Sequence, residues 1–257
     1  MTFFTAIIFI LFLYMNVWFI VSIIRKRNDV VDTAWGLGFV MLAWLSFILH
    51  DFESGLRGIL VGILVSIWGL RLAYHIYKRN KGKAEDYRYL AWRHTWGKWF
   101  YIRSYFQVYI LQGVLLFLVV LPVLVVNKNL GTSLTVLDFV GLMLWIIGFF
   151  FESVGDRQLA VFIKNPENTG KLMKEGLWKY TRHPNYFGEV TMWWAIWIIS
   201  LSANIVWFSI LGPLTITILI LKISGIPLLE KKMKENPDFI NYSKKTNMFI
   251  PWFNKNV

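Results

Sequence analysis

The sequence predicts an all-α fold, a polytopic membrane bundle of about seven transmembrane helices. Three observations carry that expectation. Of the 257 residues, 56% are hydrophobic and 18% aromatic, with mean hydropathy +0.51; in soluble domains charged residues alone approach about a quarter. The apolar residues fall into runs near bilayer-crossing length, at 3–24, 35–50, 57–77, 108–126, 136–153, 188–201 and 203–222. Finally, 24 of the 27 Lys and Arg residues lie in the loops after the first, third, fifth and seventh runs. That asymmetry places those loops and the C-terminus in the cytoplasm, as in an inner-membrane protein of a bacterium.

The same distribution accounts for the net charge of +12 through topology, so nucleic acid is not an expected partner. Cysteine is absent, which excludes disulfides, thiolate zinc sites, iron–sulfur clusters and cysteine nucleophiles. His50, His75, His94 and His183 are scattered without HExxH spacing, so no metal is expected. The first run starts at Met1 and lacks a small-residue cleavage site, which predicts a first membrane helix rather than a removable signal. With no repeat, low-complexity tract or long linker, one integral membrane domain over 1–257 is expected.

Taken in order, the turn after the first run, DVVDTAWG from Asp29 to Gly36, leads a carboxylate into the second helix, where Asp32 suits an N-cap. The third run ends with Arg71, Tyr74 and His75 at i, i+3 and i+4, on one side of a helix. From Lys78 to Ser104 the chain is basic and aromatic, the composition of an interfacial segment. The fifth run ends at Glu152, with Asp156 at i+4, and turn signals follow at Asn165-Pro166 and Thr169-Gly170. The tail from Ser224 is amphipathic and basic, as in a membrane-surface helix.

The polar stretch that interrupts this pattern is Gly176–Trp194, GLWKYTRHPNYFGEVTMWW. Pro184 suits the first turn of a helix, where its missing N–H costs nothing. Asn185, Glu189 and Trp193 then lie at i, i+4 and i+8, with Arg182 and Tyr186 near the same stripe. Headgroup anchoring explains Arg182 and His183 but not Asn185 and Glu189, which sit too far into the apolar run. No GxGxxG or GxxxxGK[ST] is present, so a dinucleotide would be held by the mouth of a bundle rather than in the Rossmann manner. Lys164, Lys171, Lys174, Arg182 and Lys231 can answer phosphates there, and Asp156, Asn185 and Glu189 can answer ribose and amide groups.

GLWKYTRHPNYFGE, the upstream ESVGD from Glu152 to Asp156, and the stretch from Tyr242 to Pro251 resemble the membrane reductases that include steroid 5α-reductase and sterol C14 reductases. With VDTAWG and RLAYHIYKRNKGKAEDYRY, the chain is most similar to their bacterial branch, the DUF1295 family, over nearly its whole length. The resemblance implies a seven-helix bundle with cytoplasmic loops forming a cofactor site for NADPH. The part of the chain over 136–257 carries the cofactor motif, and a lipid-like unsaturated substrate enters from the bilayer. By position it assigns cofactor contacts to Asp156, Lys171, Asn185, Tyr186 and Glu189. Arg182, His183, Glu230, Lys231 and Tyr242 join them, with Arg71 and Arg79 as further basic contacts.

Hydride transfer to an enone also needs an acid at the carbonyl. Steroid 5α-reductases use a Glu and a Tyr in the N-terminal half, and the nearest groups here are Asp32 and Tyr74. Isoprenylcysteine carboxyl methyltransferases and phospholipid methyltransferases share the RHPxYxG stretch and bind S-adenosylmethionine, which gives a second reading. A non-enzymatic lipid-binding scaffold is a third. Glu189, the Asp156 region and the early helices favour the reductase.

Overall fold

Thr2 opens the first helix, α1 (Phe3–Arg25), by accepting the Thr5 N–H at 3.3 Å, and Lys26 closes it in the left-handed region at φ 53°. Its outer face leaves Ile8 51%, Phe12 47% and Ile24 73% exposed. At about 25 cal/mol per Å² that surface is costly in water and free of cost in hydrocarbon. The computed structural model describes residues 2–130, 133–203 and 207–254. Residues 204–206 of the expected last run, and Lys255 among the tail's basic residues, lie outside them. Every regular element among the described residues is a helix, as the composition predicts.

The chain divides into two compact units, Met1–Thr135 with Ser200–Gly212, and Val136–Ile199 with Pro213–Val257. In the first, α2 (Val30–Leu49) packs on α1, where the Tyr14 hydroxyl donates to the Ala34 carbonyl at 2.7 Å. It meets α3 (Gly55–Asn80) through two glycines. A Cβ on Gly36 would stand 2.5 Å from the Gly69 carbonyl oxygen, and one on Gly69 would stand 2.7 Å from that of Gly36. The two backbones touch there.

Beyond α3 the interfacial stretch is itself helical. α4 (Tyr87–Trp96) leads through a turn at Gly97, φ 48°, into α5 (Phe100–Ser104), a π-helical stretch Tyr105–Ile110 and α6 (Leu111–Lys128). The whole run Tyr87–Lys128 holds 42 residues, far longer than the expected 108–126. α6 is buried, and at its Pro122 the chain leaves room for a close neighbour. A Cβ on Gly212 would come 2.6 Å from the Pro122 Cδ and 2.7 Å from the Val119 carbonyl oxygen.

In the second unit α7 (Val136–Lys164) and α8 (Pro184–Leu201) run antiparallel along a glycine seam. The buried residues of α7 are Asp138, Gly141, Trp145, Gly148, Glu152 and Gly155, alternating three and four apart, so that a glycine recurs every second turn on one stripe. Cβ atoms on Gly141 and Gly148 would stand 2.8 Å from the Ala195 and 2.7 Å from the Gly188 carbonyl oxygens, and one on Gly155 would stand 3.2 Å from the Asn185 nitrogen. α9 (Leu211–Ile218), a π-helical stretch Leu219–Ile223, α10 (Ile226–Met233) and α11 (Pro237–Lys245) complete the described helices.

Among the described residues, six helical stretches are long and apolar enough to cross a membrane: Phe3–Arg25, Val30–Leu49, Gly55–Asn80, Tyr87–Lys128, Val136–Lys164 and Trp207–Lys231. The sequence predicts about seven; the run at 188–201 is the difference. Its helix α8 has 18 residues, about 27 Å, against a hydrocarbon core of about 30 Å, and Asn185 and Glu189 occupy its first turns.

Candidate functional site

A cluster of charged side chains stands out in each unit. In the second, α8 begins at Pro184 as predicted, and Arg182 just before it turns to the tail. Its Nε and Nη2 donate to Glu230 Oε1 and Oε2 at 2.8 and 3.2 Å, and its Nη1 to the Ser243 and Thr246 carbonyls at 3.1 and 2.7 Å. Four of the five guanidinium N–H groups are thus spent within the protein. The Arg182 backbone N–H donates to the Asn247 carbonyl at 2.9 Å.

His183 is buried, with Nε2 3.0 Å from the same Glu230 Oε1, and stacks on Tyr186 with ring centres 5.7 Å apart. The Thr181 hydroxyl donates to the Phe249 carbonyl at 2.8 Å. Tyr242 donates to the Trp178 carbonyl, and the Trp178 indole to the Gly155 carbonyl at 3.2 Å. Burial pushes the Tyr242 phenol above the usual tyrosine range, opposed by Arg182 and reinforced by Glu230, so it remains a donor. Arg182, His183, Glu230 and Tyr242 together form a clasp that fixes the tail to the start of α8.

Beside the clasp, Asn185 Nδ2 donates to Asp156 Oδ1 at 3.1 Å. That bond sets the amide orientation, since a carboxylate accepts only from the nitrogen. Asn185 Oδ1 is buried and meets no donor among the described residues. Glu189 stands half-buried one turn along α8, while Lys171 and Lys231 are exposed. An acceptor held in this way can take an N–H or O–H from a bound molecule.

In the first unit the helix α2 starts at Val30, so Asp32 lies inside its first turn and does not cap it. Its carboxylate is instead taken up by α4, through the Tyr89 hydroxyl at 3.1 Å and Arg88 Nη2 at 3.4 Å. Arg88 Nε also donates to Asp86 Oδ1 at 3.0 Å. Burial pushes the Asp86 carboxyl up, but the hydrogen bonds and charge of Arg88 prevail and hold it below the usual carboxylate range. Around them Arg27 forks onto Asp29 at 2.8 and 2.7 Å, and Arg93 onto Glu85 at 3.2 and 3.1 Å. Glu85 Oε1 also accepts the Asn28 N–H at 2.6 Å. The turn after α1 is thereby pinned to the segment before α4.

The phenol that reaches Asp32 is Tyr89, while Tyr74 stands 63% exposed with the Lys78 ammonium 5.6 Å above its ring. Arg71 is half-buried on α3, and the exposed Arg79 bonds Asn80 Oδ1 at 3.2 Å. Tyr89 and Arg88 went unassigned in the sequence because 57 and 56 residues separate them from Asp32. The acidic pair Glu85-Asp86 just before Arg88 and Tyr89, in an otherwise basic stretch, was a visible signal.

No solved structure matches the chain. A protein of Schizosaccharomyces pombe, "Uncharacterized protein C594.04c", is 26% identical over 280 residues that cover 93% of this chain and 77% of that protein. The family described as "Protein of unknown function (DUF1295)" matches residues 18–246, so the chain belongs to the DUF1295 family.

Proposed function

We propose that the protein is a membrane-embedded, NADPH-dependent reductase of a lipid-like substrate, acting on the C=C bond of an enone. The observation that carries this reading is Asn185, oriented by Asp156 and left with a buried, unanswered acceptor at the mouth of α8. The donor set fits the cofactor. Asn185 Oδ1 suits a carboxamide N–H or a ribose hydroxyl, Asp156 and Glu189 suit further hydroxyls, and the exposed Lys171 and Lys231 suit phosphates. Bound there, NADPH supplies the hydride.

The residues of the chain do the rest. Asp156 fixes the rotamer of Asn185, and the clasp of Arg182, His183, Glu230 and Tyr242 holds the tail beside it, so these four act on the cofactor through position. Asp32 with Tyr89 is the candidate acid in this reading: the phenol donates to the carboxylate, and such a pair can hold or pass a proton. Tyr74, exposed on α3, takes no part in this reading.

Seven crossings are favoured over six by one bond. Arg182 precedes α8, and Glu230 ends the stretch Trp207–Lys231. If that stretch crosses the membrane and returns to Arg182, α8 has carried the chain across beforehand. In this reading loop charge favours a cytoplasmic clasp and cofactor, and the proposed setting is a bacterial inner membrane.

Calorimetry on the detergent-purified protein with NADPH, NADH and S-adenosylmethionine tests the reading. NADPH binds, and Asn185→Ala weakens it about tenfold, the worth of one good hydrogen bond, while the variant still unfolds cooperatively. Binding of S-adenosylmethionine alone, or an Asn185→Ala variant with full NADPH affinity, overturns it.

A further inference from the structure

α7 carries two more buried polar atoms with no partner among the described residues, Trp145 Nε1 and Ser153 Oγ. Trp145 is only 4% exposed. Its ring lies flat on Phe149, with centres 4.9 Å apart and planes 11° from parallel. Trp145, Phe149 and Ser153 are each four residues apart, so they form one stripe over two turns, about 12 Å long. The stripe runs toward the end of α7 at which Asp156 holds Asn185.

An indole N–H only donates, so whatever answers Trp145 must offer an acceptor. Solvent is a poor candidate. An ordered water needs two to four polar partners, and the ring beside the indole is the apolar Phe149. A flat aromatic pair with a hydrogen-bond donor at one end and a hydroxyl at the other matches an elongated apolar molecule with an oxygen at its far end.

We propose that the Trp145–Phe149–Ser153 face of α7 is a subsite for the substrate, and that the substrate is an elongated lipid carrying an oxygen acceptor distal to its reacting end. The distal oxygen accepts the Trp145 N–H, the apolar body lies along Phe149, and the reacting end lies toward Ser153. This rests on the lipid-reductase reading for the identity of the reacting end alone; the distal acceptor follows from Trp145.

The test uses two linear enones, alike except that one carries a ketone about 12 Å from its enone carbonyl. Their binding to the full-length protein in detergent is measured without cofactor, by equilibrium competition against a radiolabelled enone. The ketone-bearing probe binds three- to tenfold tighter to the wild type, the net worth of one neutral hydrogen bond. Trp145→Phe, which keeps an aromatic ring and removes the donor, abolishes that advantage, so that the two probes bind the variant equally. Ser153→Ala weakens both probes alike.

Equal binding of the two probes to wild type overturns the proposal, as does an advantage that survives in Trp145→Phe. NADPH oxidation is read separately. Discrimination between the probes with no oxidation of NADPH keeps the subsite and removes the reductase.

Discussion

Replacing Glu230 with Ala opens the clasp, and the size of the effect can be worked from its bonds. The substitution removes two charge-assisted hydrogen bonds from Arg182 and one from His183. The two members of the ion pair are 10% and 13% exposed, so little solvent is at hand to compensate. Removing one partner of a buried ion pair costs about 3–5 kcal/mol. Here Arg182 keeps the Ser243 and Thr246 carbonyls, which puts the loss at the lower end, about 3 kcal/mol. At 1.4 kcal/mol per decade that is roughly a hundredfold rise in the open tail.

Limited tryptic digestion reads this directly, because Lys244 and Lys245 lie between Ser243 and Thr246, whose carbonyls the clasp holds, and cleavage tracks the open population when reclosing is fast. Cleavage at those lysines is expected to accelerate roughly a hundredfold. A variant that is cut within about threefold of the wild-type rate would refute the assignment of the clasp as the tail's main fastening.

Two further outcomes follow from the packing and the charges. Gly148→Ala sets a methyl 2.7 Å from the Gly188 carbonyl oxygen, so the seam must part, at a cost of about 1–3 kcal/mol; a drop in thermal midpoint checks it, and an unchanged midpoint would show that α7 and α8 yield freely. Asp86 is held below the usual carboxylate range, so its contribution is present above the unfolded value of about 3.9 and is lost as pH falls through the lower folded value. The thermal midpoint of the wild type is therefore expected to fall below about pH 4, and Asp86→Asn should flatten that acid limb.

Much of the helix pattern can be read from hydropathy: the runs at 3–24 and 57–77 correspond to α1 and α3 within a few residues, and Pro184 marks the start of α8. The departures have a common cause, since hydropathy reports contact with lipid and not helicity. α7 continues past Phe151 through Asp156 and Arg157 to Lys164, and the basic, aromatic stretch before α6 is helical although its composition marks only an interface. For α2, a preferred capping residue at Asp32 competed with the true start at Val30. At the site, Asn185 and Glu189 announce themselves as polar residues inside an apolar helix. The bonds of Arg182 to Glu230 and of Asp32 to Tyr89 join residues 48 and 57 apart, and no local periodicity encodes such a pair.

The clasp also imposes an order of events during synthesis. Arg182 is made 64 residues before Thr246, whose carbonyl it binds. At translation rates of about 5–20 residues per second, α8 spends several seconds with Arg182 and His183 lacking their final partners. Until α11 and Thr246 behind it have emerged the polar mouth cannot close, and a chain released before them would carry all six of the long apolar stretches described and still leave that mouth unfastened.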